Sequence, residues 1–160
     1  PETHGSVVIC LMTSELVDSL YNARLTIETG VIESYLPTFS DELIARIVAL
    51  SERLVHASPA TDSELSEFLD LNTEYHTLIV TGAGSAQLTA AYRELNVQTV
   101  WRETYEQAGA STFTRWELIP AITGAIEQRD VEGAKDAIRV GVEHVREAAH
   151  AAIAQSGGAV

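Results

Sequence analysis

Apolar residues recur along this chain at three- and four-residue intervals, the spacing of one face of an α-helix, and six such stretches can be read. Leu16, Leu20, Arg24, Ile27 and Val31 share a face of a first helix, capped by Thr13 and ending near Leu36 and Pro37. Ser40 opens a second, with Asp41 and Glu42 where the helix dipole favours acids and Leu43, Ile47, Leu50 and Leu54 in register. Thr61 and Glu64 form a capping box for a third, which runs to about Thr81 and stops at Gly82-Ala83-Gly84. A fourth spans about Ser85 to Gln107, with Leu88, Tyr92, Leu95 and Arg102 on one side and Gly109 closing it. Thr114 and Glu117 form another capping box before Ile119, Ile122 and Ile126. Pro120 conflicts with that start, because it leaves the Trp116 carbonyl without its helical partner; a kink or a later start is expected. Asp130 caps the longest helix, with Ala134, Ile138, Gly141 and Val145 inward, fraying into Ser156-Gly157-Gly158.

Short loops between these stretches imply antiparallel neighbours, so the expected fold is all-α, an antiparallel bundle of six to seven helices. Residues 1–10, with Val7, Val8 and Ile9 after Gly5, read instead as a short strand, and no internal repeat is visible. The third stretch breaks the apolar rule in an informative way. Leu65, Phe68, Asn72, His76 and Ile79 share its inward face, which carries an amide and an imidazole toward the core. Leaving either group unsatisfied costs roughly 1 to 3 kcal/mol, so side chains, water, a metal or a ligand must meet them. A pocket inside the bundle, and with it ligand sensing, is the first functional expectation.

Composition narrows the classes. The 160 residues suit one domain, and 46% hydrophobic residues suffice for one core, while 6% aromatics favour helices over a sheet. A net charge of -13, with only 10 Lys and Arg, argues against direct contact with nucleic acid or an anionic membrane surface. The lone Cys10 cannot form an internal disulfide and excludes a multi-cysteine zinc motif. No apolar run is long enough to span a bilayer and no signal peptide is visible, so a cytoplasmic protein is expected. Opening at Pro1 rather than Met, the chain reads as a piece of something longer. No serine lies in a nucleophile elbow, and Gly82-Ala83-Gly84 lacks the strand a phosphate loop requires, so an enzyme is not expected.

The order of motifs resembles the FCD domain, the C-terminal effector-binding domain of FadR-subfamily regulators in the GntR superfamily. Leu20-Tyr21-Asn22-Ala23-Arg24-Leu25-Thr26-Ile27-Glu28 looks like the family's first-helix signature, and Leu71-Asn72-Thr73-Glu74-Tyr75-His76 is similar to its aromatic-His motif. Ala121-Ile122-Thr123-Gly124-Ala125-Ile126, followed by Asp130, Ala134 and Ala137, resembles its last helical hairpin. The resemblance implies that residues 11–155 form a ligand-binding and dimerisation domain, that residues 1–10 are the remnant of a missing N-terminal winged-helix domain, and that 156–160 form a flexible tail. It also implies a homodimer whose DNA-binding heads, absent here, are repositioned when a small organic acid enters the bundle.

Many FCD domains hold a divalent metal with an Asp and a His four residues apart and one His on each of the last two helices. Here the resemblance puts Asn72, His76, Ile119 and Gly141 at those positions, so three of the four ligands are absent. One imidazole and one neutral amide hold zinc poorly, and no cofactor is expected. Ile119 adds apolar wall, and Gly141 leaves room for a guest or permits close helix packing. Arg24, whose fork can bind two carboxylate oxygens, is the first candidate clamp, with Gln98 and Arg102 behind it. Arg24 also has a structural reading as an i, i+4 partner of Glu28, and His76 one as a core histidine. An amphipathic or aromatic acid is the expected ligand class.

Other readings remain open at this point. His144, one turn beyond Gly141, could join His76 and a carboxylate such as Asp70 or Glu74 in a relocated Zn or Ni site, in a sensor or a metal-dependent enzyme. His144 and His150, about 240° apart on a helix, do not chelate together. His4 and His56 read as exposed, and Trp101 and Trp116 as core or dimer-interface anchors. A purely structural dimerisation module with a filled core is the third reading.

Overall fold

A computed structural model describes residues 12–57, 59–108 and 117–155. These form seven α-helices: α1 (Ser14–Tyr35), α2 (Asp41–His56), α3 (Asp62–Thr81), α4 (Ala86–Glu94), α5 (Val97–Ala108), α6 (Leu118–Glu127) and α7 (Val131–Gln155), with a 3-10 turn, Leu36–Thr38, after α1. No strand occurs among the described residues. The strand expected over residues 1–10 and the tail at 156–160 lie outside them, as do His4, Cys10, Thr114 and Trp116.

Local chemistry accounts for most helix starts. The Thr13 hydroxyl accepts from the Leu16 amide at 3.2 Å, and Ser40 and Ser85 cap α2 and α4 in the same way. At α3 the capping box is complete: Thr61 Oγ1 accepts from the Glu64 amide while Glu64 accepts from the Thr61 amide. Pro120 resolves by a later start. With α6 beginning at Leu118, the proline falls in the first turn, where its missing N–H would have had no intrahelical acceptor.

Two features depart from the sequence pattern. The single helix expected over 85–107 is two, because Asn96 adopts a left-handed conformation (φ 49) between α4 and α5. Asparagine tolerates this region better than other non-glycine residues, and here its Nδ2 donates to Thr99 Oγ1 in the next turn. In α1 the buried stripe is Val17, Tyr21, Arg24, Glu28, Val31 and Ile32, whereas Leu16, Leu20 and Ile27 sit half-buried at its edge.

The packing puts α3 at the centre, with α1, α2, α4 and α5 around it and every residue from Tyr75 to Val80 buried. The long α7 packs along α1, α5 and α6, and α2 closes against α6. Helices α3 and α7 share no extensive packing with each other, and a cavity lies between them. No described helix is long and apolar enough to cross a membrane.

Candidate ligand-binding cavity

A cavity of about 70 Å3 lies where α1, α2, α3, α5, α6 and α7 converge. Leu54, Phe68, Leu118, Ile119, Ile122, Ile138 and Val145 give it apolar walls, and Arg24, Asn72, His76, Trp101 and His144 supply its polar groups. Ile119 and Gly141 also line it. Gly141 has no close neighbour to accommodate: a Cβ built there would meet only Ile122 Cδ1, at 3.9 Å. Its missing side chain therefore enlarges the cavity rather than allowing two helices to touch.

The polar corner is a buried ion pair with a histidine attached. Arg24 is 4% exposed, Glu28 0% and His76 3%. Arg24 Nε donates to Glu28 Oε1 at 2.6 Å, the Tyr92 hydroxyl donates to the same oxygen, and Glu28 Oε2 lies 3.1 Å from His76 Nδ1. Arg24 Nη2 stands 2.9 Å from His76 Nε2 and the guanidinium lies 5.0 Å from the Trp101 ring centroid, within cation–π range. In the neutral tautomer with Nδ1–H donating to Glu28, Nε2 is left to accept from Arg24 Nη2.

The electrostatics follow from this geometry. Burial alone raises the Glu28 carboxyl, but the Arg24 charge, the His76 contacts and the Tyr92 hydroxyl outweigh it and bring it down to about 2. Burial lowers the His76 pKa and the neighbouring Arg24 cation lowers it further, against the opposing pull of Glu28. Arg24 stays charged, because Glu28 more than offsets its desolvation. At neutral pH the cluster is a guanidinium, a carboxylate and a neutral imidazole, with no net charge. Arg24 meets Glu28 through Nε and His76 through Nη2.

Two other polar groups on the cavity have no such partners. The Asn72 amide makes no hydrogen bond to any described residue, and His144 Nε2 is buried without a hydrogen-bond partner among them.

The structure thus gathers Arg24, Asn72, His76, Ile119 and Gly141 around one space and leaves Gln98 and Arg102 out of it. Gln98 Nε2 donates to Asp70 Oδ1 at 2.6 Å, and Arg102 Nη2 donates to Ser66 at 2.9 Å, both on the outer side of α3. The rotation of α5 presents Trp101 to the cavity instead. Sequence reading also missed the burial of Glu28, although its position four residues after an inward arginine was a usable signal. Tyr92 carried none, since its role depends on where α4 crosses α1.

The residues do not fit the divalent ion that the family resemblance implies. Ile119 and Gly141 offer no donor, Asn72 offers a neutral amide, and both His76 nitrogens lie within 3.0 Å of a guanidinium that would repel a cation. Among the described residues no three His, Cys, Asp or Glu side chains stand together as a metal would need. Asp70 and Glu74, the carboxylates considered for a relocated site, are on the exposed side of α3. His150 is committed to Asp18 at 2.9 Å, and His56 is exposed against the Glu52 carbonyl.

Comparison with known proteins agrees with this architecture. The crystal structure of a transcriptional regulator, a GntR family member from Pseudomonas syringae pv. tomato str. DC3000, superposes with a TM-score of 0.69 at 17% identity. The match covers 91% of this chain and 61% of that one, so this chain spans less than two thirds of the regulator's length. No curated protein matches the chain. Residues 19–155 match the FCD domain family, and the chain belongs to that family.

Proposed function

We propose that this chain is the effector-binding and dimerisation domain of a GntR/FadR-type transcriptional regulator, and that it takes a small amphipathic or aromatic organic acid in the cavity between α3 and α7. Membership of the FCD family and the likeness of its fold to a GntR-family regulator support the regulatory role. The ligand role rests on one observation above the others: Asn72 lines the cavity and makes no hydrogen bond to any described residue, on the same lining as the buried Arg24. A guest's oxygen would give that amide the hydrogen-bond partner that no described residue supplies. The mainly apolar walls suit the rest of such a molecule.

The ligand acts by favouring one packing of the bundle, by no more than its differential affinity for the two states. DNA contact belongs to the parent protein, in keeping with the net charge of -13 on this chain. The domain is non-enzymatic in this reading and homodimeric, the latter checked by sedimentation. A thermal-shift series with small carboxylic acids tests the ligand role. An acid at 100 times its Kd stabilises by about 2.7 kcal/mol, or roughly 5–10 °C here. The same acid is expected to shift Asn72→Ala much less. Failure of every acid to shift the wild type, or equal shifts in both proteins, overturns the reading.

A further inference from the structure

Phe68 borders two spaces. On one side is the cavity described above, and on the other a surface groove of about 430 Å3 between the end of α2 and the start of α3, with Arg53, His56, Glu64, Glu67 and Leu71 on its walls. The ring itself is 6% exposed, so it is a partition and not a surface feature. His76, Asn72 and Phe68 follow one another at successive turns of α3, which sets Phe68 roughly 12 Å along the helix axis from His76. The charged end of the cavity and the phenylalanine are therefore at opposite ends of one path, polar at His76 and apolar at Phe68.

Size makes the partition matter. An apolar cavity that holds a benzene-sized guest has a volume of about 150 Å3, more than twice the volume of this one, about 70 Å3. An acid held at the Arg24 end meets the Phe68 ring as its chain lengthens along α3, and the groove lies on the other side of that ring. We infer that Phe68 sets the length of the carboxylic acid that this domain accepts, and that displacing it joins the cavity to the groove and admits longer linear chains. This inference rests on the acid-binding reading above.

The test is a series of straight-chain monocarboxylic acids of increasing length, titrated by calorimetry into the wild-type chain and into the Phe68→Leu, Phe68→Trp and Asn72→Ala variants, with folding checked by circular dichroism. In the wild type, affinity is expected to rise about fourfold per methylene up to a limiting length and then to stop rising. Phe68→Leu moves that limit to longer acids and Phe68→Trp to shorter ones, while the shortest acid that binds keeps its affinity within about twofold in both. An unchanged limit in the folded Leu and Trp variants overturns the assignment of Phe68 alone, provided that acids bind and Asn72→Ala weakens them. No binding by any acid to the wild type removes the acid-binding reading, and this inference with it.

Discussion

At the scale of single residues, Glu28 and Gly141 decide most. Glu28 is fully buried and is the counter-charge of an equally buried Arg24 at 2.6 Å. Such pairs add little over an apolar replacement, yet removing one partner strands the other charge. Glu28→Gln is therefore expected to cost about 3–5 kcal/mol in urea unfolding, far above the few tenths that an exposed i, i+4 pair would lose. A loss below about 1 kcal/mol would mean that Arg24 finds another counter-charge or water. Gly141→Ala carries the opposite sign. With only Ile122 Cδ1 within reach of a new Cβ, the substitution is expected to stabilise α7 by about 0.5–1 kcal/mol, raising Tm by roughly 1–4 °C in calorimetry, and to weaken acid binding by filling cavity space. Destabilisation would show that the helix packs more tightly there than the geometry indicates.

At the scale of elements, local rules were legible where the residues that obey them are neighbours in sequence. Thr13, Ser40, Thr61 and Ser85 cap helices as their spacing implies, and Pro120 lies in a first turn as its chemistry requires. The break at Asn96 was not legible, since no glycine or proline marks it and Leu88, Tyr92, Leu95 and Arg102 keep helical spacing across it. What selects the break is the direction α5 must take to bring Trp101 under Arg24, with Asn96 absorbing the turn at positive φ. A β-branched residue is poorly suited to that conformation, so Asn96→Val is expected to cost about 1–2 kcal/mol and Asn96→Gly close to nothing, measured by chemical denaturation. Equal effects of the two would show that the break needs no left-handed residue.

At the scale of the whole molecule, the buried cluster ties stability to pH. The folded His76 has a pKa below its ordinary 6.5, so it resists a proton that the unfolded chain accepts, and its contribution is full above about 6.5 and lost as pH falls. Glu28, held near 2 against an ordinary 4.5, adds a second loss as pH falls from 4.5 toward 2. The net charge of -13 works the other way, since mild acidification relieves self-repulsion. The informative quantity is thus the Tm difference between wild type and His76→Gln, which is expected to shift against the wild type between pH 7 and 5. A difference independent of pH in that range would mean that His76 titrates normally, and that the cluster is wetter than its burial indicates.

The all-α class, most helix starts, the caps and the inward placement of Arg24, Asn72 and His76 were present in the sequence, because each depends on spacing along a single helix; the division of residues 85–107 into two helices was not. The partners of those groups were not. Whether Arg24 meets Glu28, whether Tyr92 and Trp101 close around them and whether Gln98 and Arg102 turn away depend on how each helix is rotated about its own axis, which is set by packing among the seven described helices. The cavity is likewise a tertiary fact: it exists because α3 and α7 are held apart by the helices on either side of them, and no periodicity within one helix records the distance to another.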